Sequence, residues 1–385
     1  MEIDIIKDIR FKKANDIFKA VTIQLKRQGL GKTDHALSLD EDDLSKLYGS
    51  VALNTDTPCG LLQKHDTPLH VAKNKEVAEI LIQNGAKVNS KDSKNQTPLH
   101  VAKNKEVAEI LHQNGANIHS RDNNHDTPPM WPKNKEVAEI LIQNGAKVNS
   151  KDSKNQTPLH VAKNKEVAKI LHQNGANIHS RDNNGDSALH LAASHSDYSA
   201  AKLLINLGAN VSARNNENQT PLHVAKHKDV AEMLIQYGAI VKSRDRNNQT
   251  PLHMAKNLDV AKMLIQYGAD VNSRDSNNQT PLHVAKNLDV AEMLIQNGAV
   301  VNSTDSKGDS ALHPAASQSD HSTVNFLIKQ GANVSARNNE NQTPLHVAKH
   351  KDVAEMLIQY GAIVKSRDRN VSMYMYYEEY DTRSK

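Results

Sequence analysis

Apolar residues recur along most of the chain in two short bursts about every thirty positions, with polar stretches between them. In the copy that begins at Thr67, Leu69, Val71 and Ala72 make the first burst, and Val77, Ala78, Ile80 and Leu81 make the second. The second burst has i, i+3, i+4 spacing, which puts it on one face of an α-helix. The first predicts a brief helix with a small apolar face. Thr67 stands where its hydroxyl can cap that helix, and Pro68 follows at the first helical position, where a missing N–H leaves nothing unsatisfied. Gly85 ends the second helix in a left-handed conformation. The polar residues 89–96 predict a turn-rich connection, with Asn95 at its left-handed position; asparagine tolerates that backbone next best after glycine. Gly185 and Gly308 occupy the same position in two other copies.

The tetrapeptide Thr-Pro-Leu-His begins at Thr67, Thr97, Thr157, Thr220, Thr250, Thr280 and Thr343. Ser-Ala-Leu-His replaces it at Ser187 and Ser310, and an altered copy begins at Thr127. The ten starts lie 30 residues apart except for two steps of 33. This pattern resembles the ankyrin repeat, with its 33-residue period and Thr-Pro-Leu-His-x-Ala signature. The resemblance covers residues 63–370 and implies an all-α solenoid of about ten helix-turn-helix units with short hairpin turns. We expect three segments: a helical segment at 1–64, the array at 65–370 and a Tyr-rich tail at 371–385. Set against His190–Leu204, the span His70–Leu81 lacks three residues between the two helices. Three residues are nearly one helical turn, so a shortened first helix and a tight turn around Asn74 are expected.

In the Thr127 copy, Leu-His-Val-Ala has become Pro129-Met130-Trp131-Pro132. Proline inside a helix costs ~3 kcal/mol or more, and loss of the core leucine costs ~2–5 kcal/mol. A weak joint around residues 125–135 is expected, with Trp131 more exposed than a core tryptophan. Pro314, in the Ser310 copy, lies nearer a helix start and is expected to be milder. Residues 73–124 recur as 133–184 with one difference, Glu109 against Lys169, and residues 212–247 recur unchanged as 335–370. Recurrence in this chain therefore reflects copying as much as any demand on a site.

Ahead of the array, Phe11, Ala14, Phe18, Val21 and Leu25 predict an amphipathic helix ending near Gly29 and Gly31. Ser38-Leu39-Asp40-Glu41 reads as a capping box opening a second helix with Leu44, Leu47 and Tyr48. The string from Ala14 to Val21, then Leu25 to Gly29, Asp42-Asp43-Leu44 and Thr55 to Leu62, resembles the helical N-terminal part of Crypton-type tyrosine recombinase domains. The likeness stops near Lys64. The arginines, His-x-x-Arg and nucleophilic tyrosine of that family would follow there and are absent, so no recombinase chemistry is carried over. The alternatives are a fragment that still touches DNA and a helical cap on the first repeat.

Composition narrows the classes. Apolar residues are 37% and aromatic ones 3%, with one tryptophan, which suits thin layers between modules better than one large core. Lys plus Arg is 48 against 44 acids, too even a balance to predict nucleic-acid or membrane binding by charge. The lone Cys59 excludes an internal disulfide and fits a reducing compartment. With no secretory signal and no apolar run of ~20 residues, a soluble cytoplasmic or nuclear monomer is expected.

Candidate chemistry is sparse. Nine of the 20 histidines belong to the Leu-His motif, and stacked copies ~8–10 Å apart cannot share a zinc. His112 and His119, echoed by His172 and His179, offer no tetrahedral set. P-loop, dinucleotide, nucleophile-elbow and HExxH patterns are missing, so no enzyme and no cofactor are expected. Lys91, Arg121, Lys151, Arg181, Arg214, Arg244, Arg274, Arg337 and Arg367 fall at equivalent hairpin tips, interrupted by Thr304. The ankyrin resemblance implies that tips and inner helices form a concave partner-binding face, where these cations would meet an acidic protein segment. Most are followed by an acid, as in Lys91-Asp92, which would largely neutralise the row; solvated structural tips are the other reading. Leu264 to Asn272 resembles the target of a 2-oxoglutarate-dependent asparaginyl hydroxylase, beside a plain turn-stabilising role for Asn272. The function expected is a protein-interaction scaffold; a DNA-associated adaptor using residues 1–64 and a recently duplicated chain without selected function are the alternatives.

Overall fold

The computed structural model describes residues 67–128, 135–162, 164–318 and 320–364. Residues 1–64, the Pro129–Pro132 stretch with Trp131, Arg367 and the 371–385 tail lie outside them, as do the expectations attached to each. The chain divides into two compact units, residues 1–183 and 184–385. Among the described residues all regular structure is helical, and one isolated antiparallel bridge joins Thr304 to Ser310.

In the N-terminal unit a representative repeat has a one-turn first helix, Pro98–Val101, and a longer second helix, Lys105–Gln113. The second helix starts at Asn104, whose side chain accepts the Val107 N–H at 2.8 Å, satisfying a donor the helix start leaves free. It stops at Asn114, followed by Gly115 at φ 81°. Val107, Ala108, Ile110 and Leu111 are buried along one face and meet Leu99 of the first helix. Equivalent residues from Leu69 to Ala146 join into one apolar layer. Removing a leucine as buried as Leu99 would cost ~2–5 kcal/mol.

In the C-terminal unit the two 33-residue repeats keep first helices of seven and six residues, Ala188–Ser194 and Leu312–Ser317. The others have four, as in Pro251–Met254. The three-residue deletion has thus removed close to one turn from the first helix, while the second keeps nine residues throughout this unit. Pro314 has a small effect for a local reason. Its counterpart Leu191 donates its N–H to Ser187 at 3.3 Å, a long bond at a helix start, so its loss shortens the helix by one residue.

The hairpin tips stack on one another within each unit. Backbone N–H groups of Asn123, Ser153 and Asn183 donate to Lys94, Asn124 and Lys154 of the preceding tips. In the other unit Asn216, Arg246, Ser276, Ser306 and Asn339 donate to Asn184, Glu217, Asn247, Asn277 and Lys307. Asn95 adopts the expected left-handed backbone, φ 65°. Gly185 needs its hydrogen side chain for a second reason: a Cβ there would sit 2.7 Å from the Asn216 backbone nitrogen.

Candidate functional site

The motif histidines belong to the scaffold. His100 Nδ1 accepts the Thr97 N–H at 3.0 Å and lies 2.9 Å from the Thr97 hydroxyl. An acceptor at Nδ1 leaves the ring proton on Nε2, which donates to the Asp126 carbonyl of the next repeat at 3.1 Å. The same arrangement joins His253 to Thr250 and Gln279. The capping box therefore uses histidine where glutamate or glutamine is usual, and the threonine hydroxyl also lies within hydrogen-bond distance of the imidazole. Burial holds His100, His223, His253 and His283 below the ordinary imidazole pKa, with the bond to the next repeat's carbonyl opposing in part. Among the described residues no group of three or more His, Cys, Asp or Glu is placed to hold a metal ion.

The tip cations are exposed: Lys91, Arg121, Lys151 and Arg181 in the N-terminal unit, Arg214, Arg244, Arg274 and Arg337 in the C-terminal one. Backbone bonds between successive tips bring neighbours of each set together. The acids that follow them in sequence are used elsewhere. Asp122 is buried, with Oδ1 accepting the Asn124 and Asp126 N–H groups and Oδ2 the Gln96 amide of the previous repeat. Asp245 and Asp275 are buried in the same way. Lys91, Arg121, Lys151, Arg244 and Arg274 form no ion pair among the described residues. Adjacency in sequence does not become an ion pair at these tips, because the hairpin turns the carboxylates of Asp122, Asp245 and Asp275 inward to cap its own backbone.

The tips of the two units behave differently. Arg214 donates from Nη1 to the Asn218 carbonyl of its own hairpin at 2.9 Å and to the Arg244 carbonyl of the next at 2.7 Å. Arg244 does the same with Asn248 and Arg274, and Arg274 with Asn278 and Thr304. Arg337 donates to Asn341 of its own hairpin. For Lys91, Arg121 and Lys151 the structure records no side-chain bond among the described residues.

Asn272 also bridges repeats: Nδ2 donates to Gly298 at 2.9 Å and Oδ1 accepts the Val300 N–H at 2.9 Å. One feature escaped the sequence reading. Tyr237, Ile240, Tyr267 and Val300 are exposed in the C-terminal unit, at positions where the repeats of the N-terminal unit carry Asn114, Asn117, Asn174 and Asn177. Aligning the repeats against one another carries that signal.

Family models for ankyrin repeats match residues 44–122, 103–182, 130–215, 162–245, 208–275, 241–305 and 286–368. The chain belongs to the ankyrin-repeat family. Among solved structures, the ankyrin repeat domain of Bcl-3, described as a unique member of the IkappaB protein family, is similar at 29% identity. That likeness covers 53% of this chain and 98% of the Bcl-3 chain, with a TM-score of 0.43. A search of the curated proteins finds no match. Ankyrin repeats are generally protein–protein interaction modules, and no enzyme family is indicated. Among the described residues no helix is long and apolar enough to cross a membrane.

Proposed function

We propose that the protein is a non-catalytic, intracellular interaction scaffold that takes an acidic protein segment along its hairpin tips and the adjoining first helices. The observation that carries this reading is the separation of charges at the tips. The cations stay exposed, while Asp122, Asp245 and Asp275 are withdrawn into backbone caps. Successive tips are tied by backbone bonds, so the charges are held at a fixed interval, which favours a partner that spans several repeats. Asn272 is included as a hydroxylation site. Oxygen added at Cβ would leave both amide bonds to Gly298 and Val300 in place, and mass analysis of that peptide, with or without one extra oxygen, decides it. The DNA-adaptor reading rests on residues 1–64 and the no-function reading on sequence identity alone.

The test is a lysate pull-down with the full chain and two charge-reversed variants. One changes Lys91, Arg121 and Lys151 to glutamate, where no bond is lost. The other changes Arg214, Arg244 and Arg274. A protein retained by the parent and lost from a folded variant supports the scaffold reading, and retention of the same proteins by all three overturns it.

A further inference from the structure

The C-terminal unit carries a more specific site than the general reading requires, and the inference rests on that reading. Each guanidinium has five N–H groups. In Arg244 and Arg274 both hydrogens of Nη1 are taken by two carbonyls, one in the residue's own hairpin and one in the next. Neither Nε nor Nη2 has a hydrogen-bond partner among the described residues, and both side chains remain exposed. The Nε and Nη2 groups share one edge of the planar fork, the edge that meets a carboxylate through two parallel bonds. The carbonyl clamp also fixes the side chain before any ligand arrives, which removes part of the rotamer entropy lost on binding. Lysine cannot present such an edge, and among the described residues Lys91 and Lys151 are not held.

From this geometry we infer that Arg244 and Arg274 form a preorganised row of carboxylate receptors for an extended peptide with acidic residues three positions apart. The interval comes from matching two spacings. Stacked helical repeats lie ~8–10 Å apart, and an extended or polyproline chain advances ~3.1–3.4 Å per residue, so three residues span roughly 10 Å. Backbone phosphates of a nucleic acid strand follow one another at a shorter interval and would meet the row out of step. Glu217, an exposed acid on these tips, lies 3.9 Å from Arg246. Thr304 ends the row, since it receives the Arg274 bond and has no cation to pass on.

The experiment uses fluorescein-labelled synthetic peptides and the full chain, read by anisotropy at fixed salt. One peptide has glutamate at every third position with proline and alanine between. A second has the same composition with the glutamates in one block, and an oligothymidylate of equal charge is the third probe. The spaced peptide is expected to bind at least ~tenfold tighter than the blocked one, a difference of ~1.4 kcal/mol. Arg244→Lys with Arg274→Lys keeps the charge and should abolish the preference, with helical content checked by circular dichroism. Thr304→Arg should tighten binding of a spaced peptide one step longer, a gain that misfolding cannot imitate. Equal binding of both peptides, tighter binding of the oligonucleotide, or no binding at all overturns the inference. A tip-dependent pull-down alongside equal peptide binding would sink this inference and leave the scaffold reading standing; loss of tip dependence in the pull-down removes both.

Discussion

Among the described residues Lys91, Arg121 and Lys151 stand at the tips of the N-terminal unit without a side-chain bond, whereas Arg214, Arg244 and Arg274 in the C-terminal unit each hold two carbonyls. The backbone plan beneath them is shared. Both units have the histidine clamp, the inward aspartate and the tip-to-tip N–H bond. What differs is whether a side chain adds a further bond across the junction. In a stacked repeat protein stability is approximately a sum of repeat and interface terms, so a clamp recurring at one position can set the two units apart; residue type alone does not decide it, since Arg121 makes no clamp onto Lys151. The C-terminal unit also uses Met233, Met263 and Met293 where the other uses Ile80, Ile110 and Ile140. These fill the same face of the second helix and leave its burial unchanged.

The largest effect expected on this comparison is that of acid, because it acts on several junctions together. Burial depresses the pKa of His100, His223, His253 and His283. Their unfolded counterparts titrate near ~6.5, so below that value the unfolded chain binds more protons than the native one and stability falls with pH. The stability is complete above the unfolded pKa and is lost as pH drops through it toward the depressed native values. A second proton would also place an N–H of the imidazole against the Thr N–H that Nδ1 accepts. Denaturant melts at successively lower pH should show loss of protection at these junctions, with hydrogen exchange locating the loss. Melts independent of pH between neutral and mildly acid solution would refute the neutral-histidine assignment.

Glycine at the tips comes next. Gly185→Ala is expected to cost more than the ~1–2 kcal/mol of a left-handed non-glycine residue, because the new Cβ also meets the Asn216 side-chain oxygen and backbone nitrogen. Gly85→Ala meets nothing within 4 Å and should show the conformational cost alone. Equal shifts in the chemical-denaturation midpoint for the two variants would remove the steric part of the argument.

Much of this architecture is legible in the sequence because it is local. The Leu-His period, the Val-Ala-x-x-Leu stripe and Gly85 state the two helices and their end, and the three missing residues locate the shortened first helix. The histidines read as structural because stacked copies lie too far apart to share a metal. Their receiving carbonyls, Asp126 or Gln279, belong to the following repeat, and periodicity does not name them. The tip aspartates mislead for a related reason. Adjacency in sequence suggests pairing with the cation, while the hairpin's own unsatisfied N–H groups take the carboxylate. Lysine and arginine tips look alike to any reading by charge. Only the position of the next hairpin's carbonyl distinguishes a fork that is held, as at Arg244, from one that is not, as at Arg121.

That distinction gives the smallest effect and the sharpest test of the comparison. Arg244→Lys removes the bonds to Asn248 and Arg274 while keeping the charge, and Lys151→Arg offers the N-terminal unit a fork at the equivalent position. Charged hydrogen bonds contribute ~1.5–3 kcal/mol when well shielded, but these side chains are exposed and solvent screens much of that. A loss of about 1 kcal/mol is expected for Arg244→Lys, with faster exchange at the Ser276 amide that spans the same junction. Lys151→Arg should return a smaller gain, since Arg121, already an arginine in that unit, makes no clamp onto Lys151. If Lys151→Arg stabilises as much as Arg244→Lys destabilises, the backbone of the two units is interchangeable and the tip residue alone sets the junction. If it does nothing while Arg244→Lys costs the expected amount, the tip carbonyls of the C-terminal unit are placed for the guanidinium in a way the N-terminal tips are not.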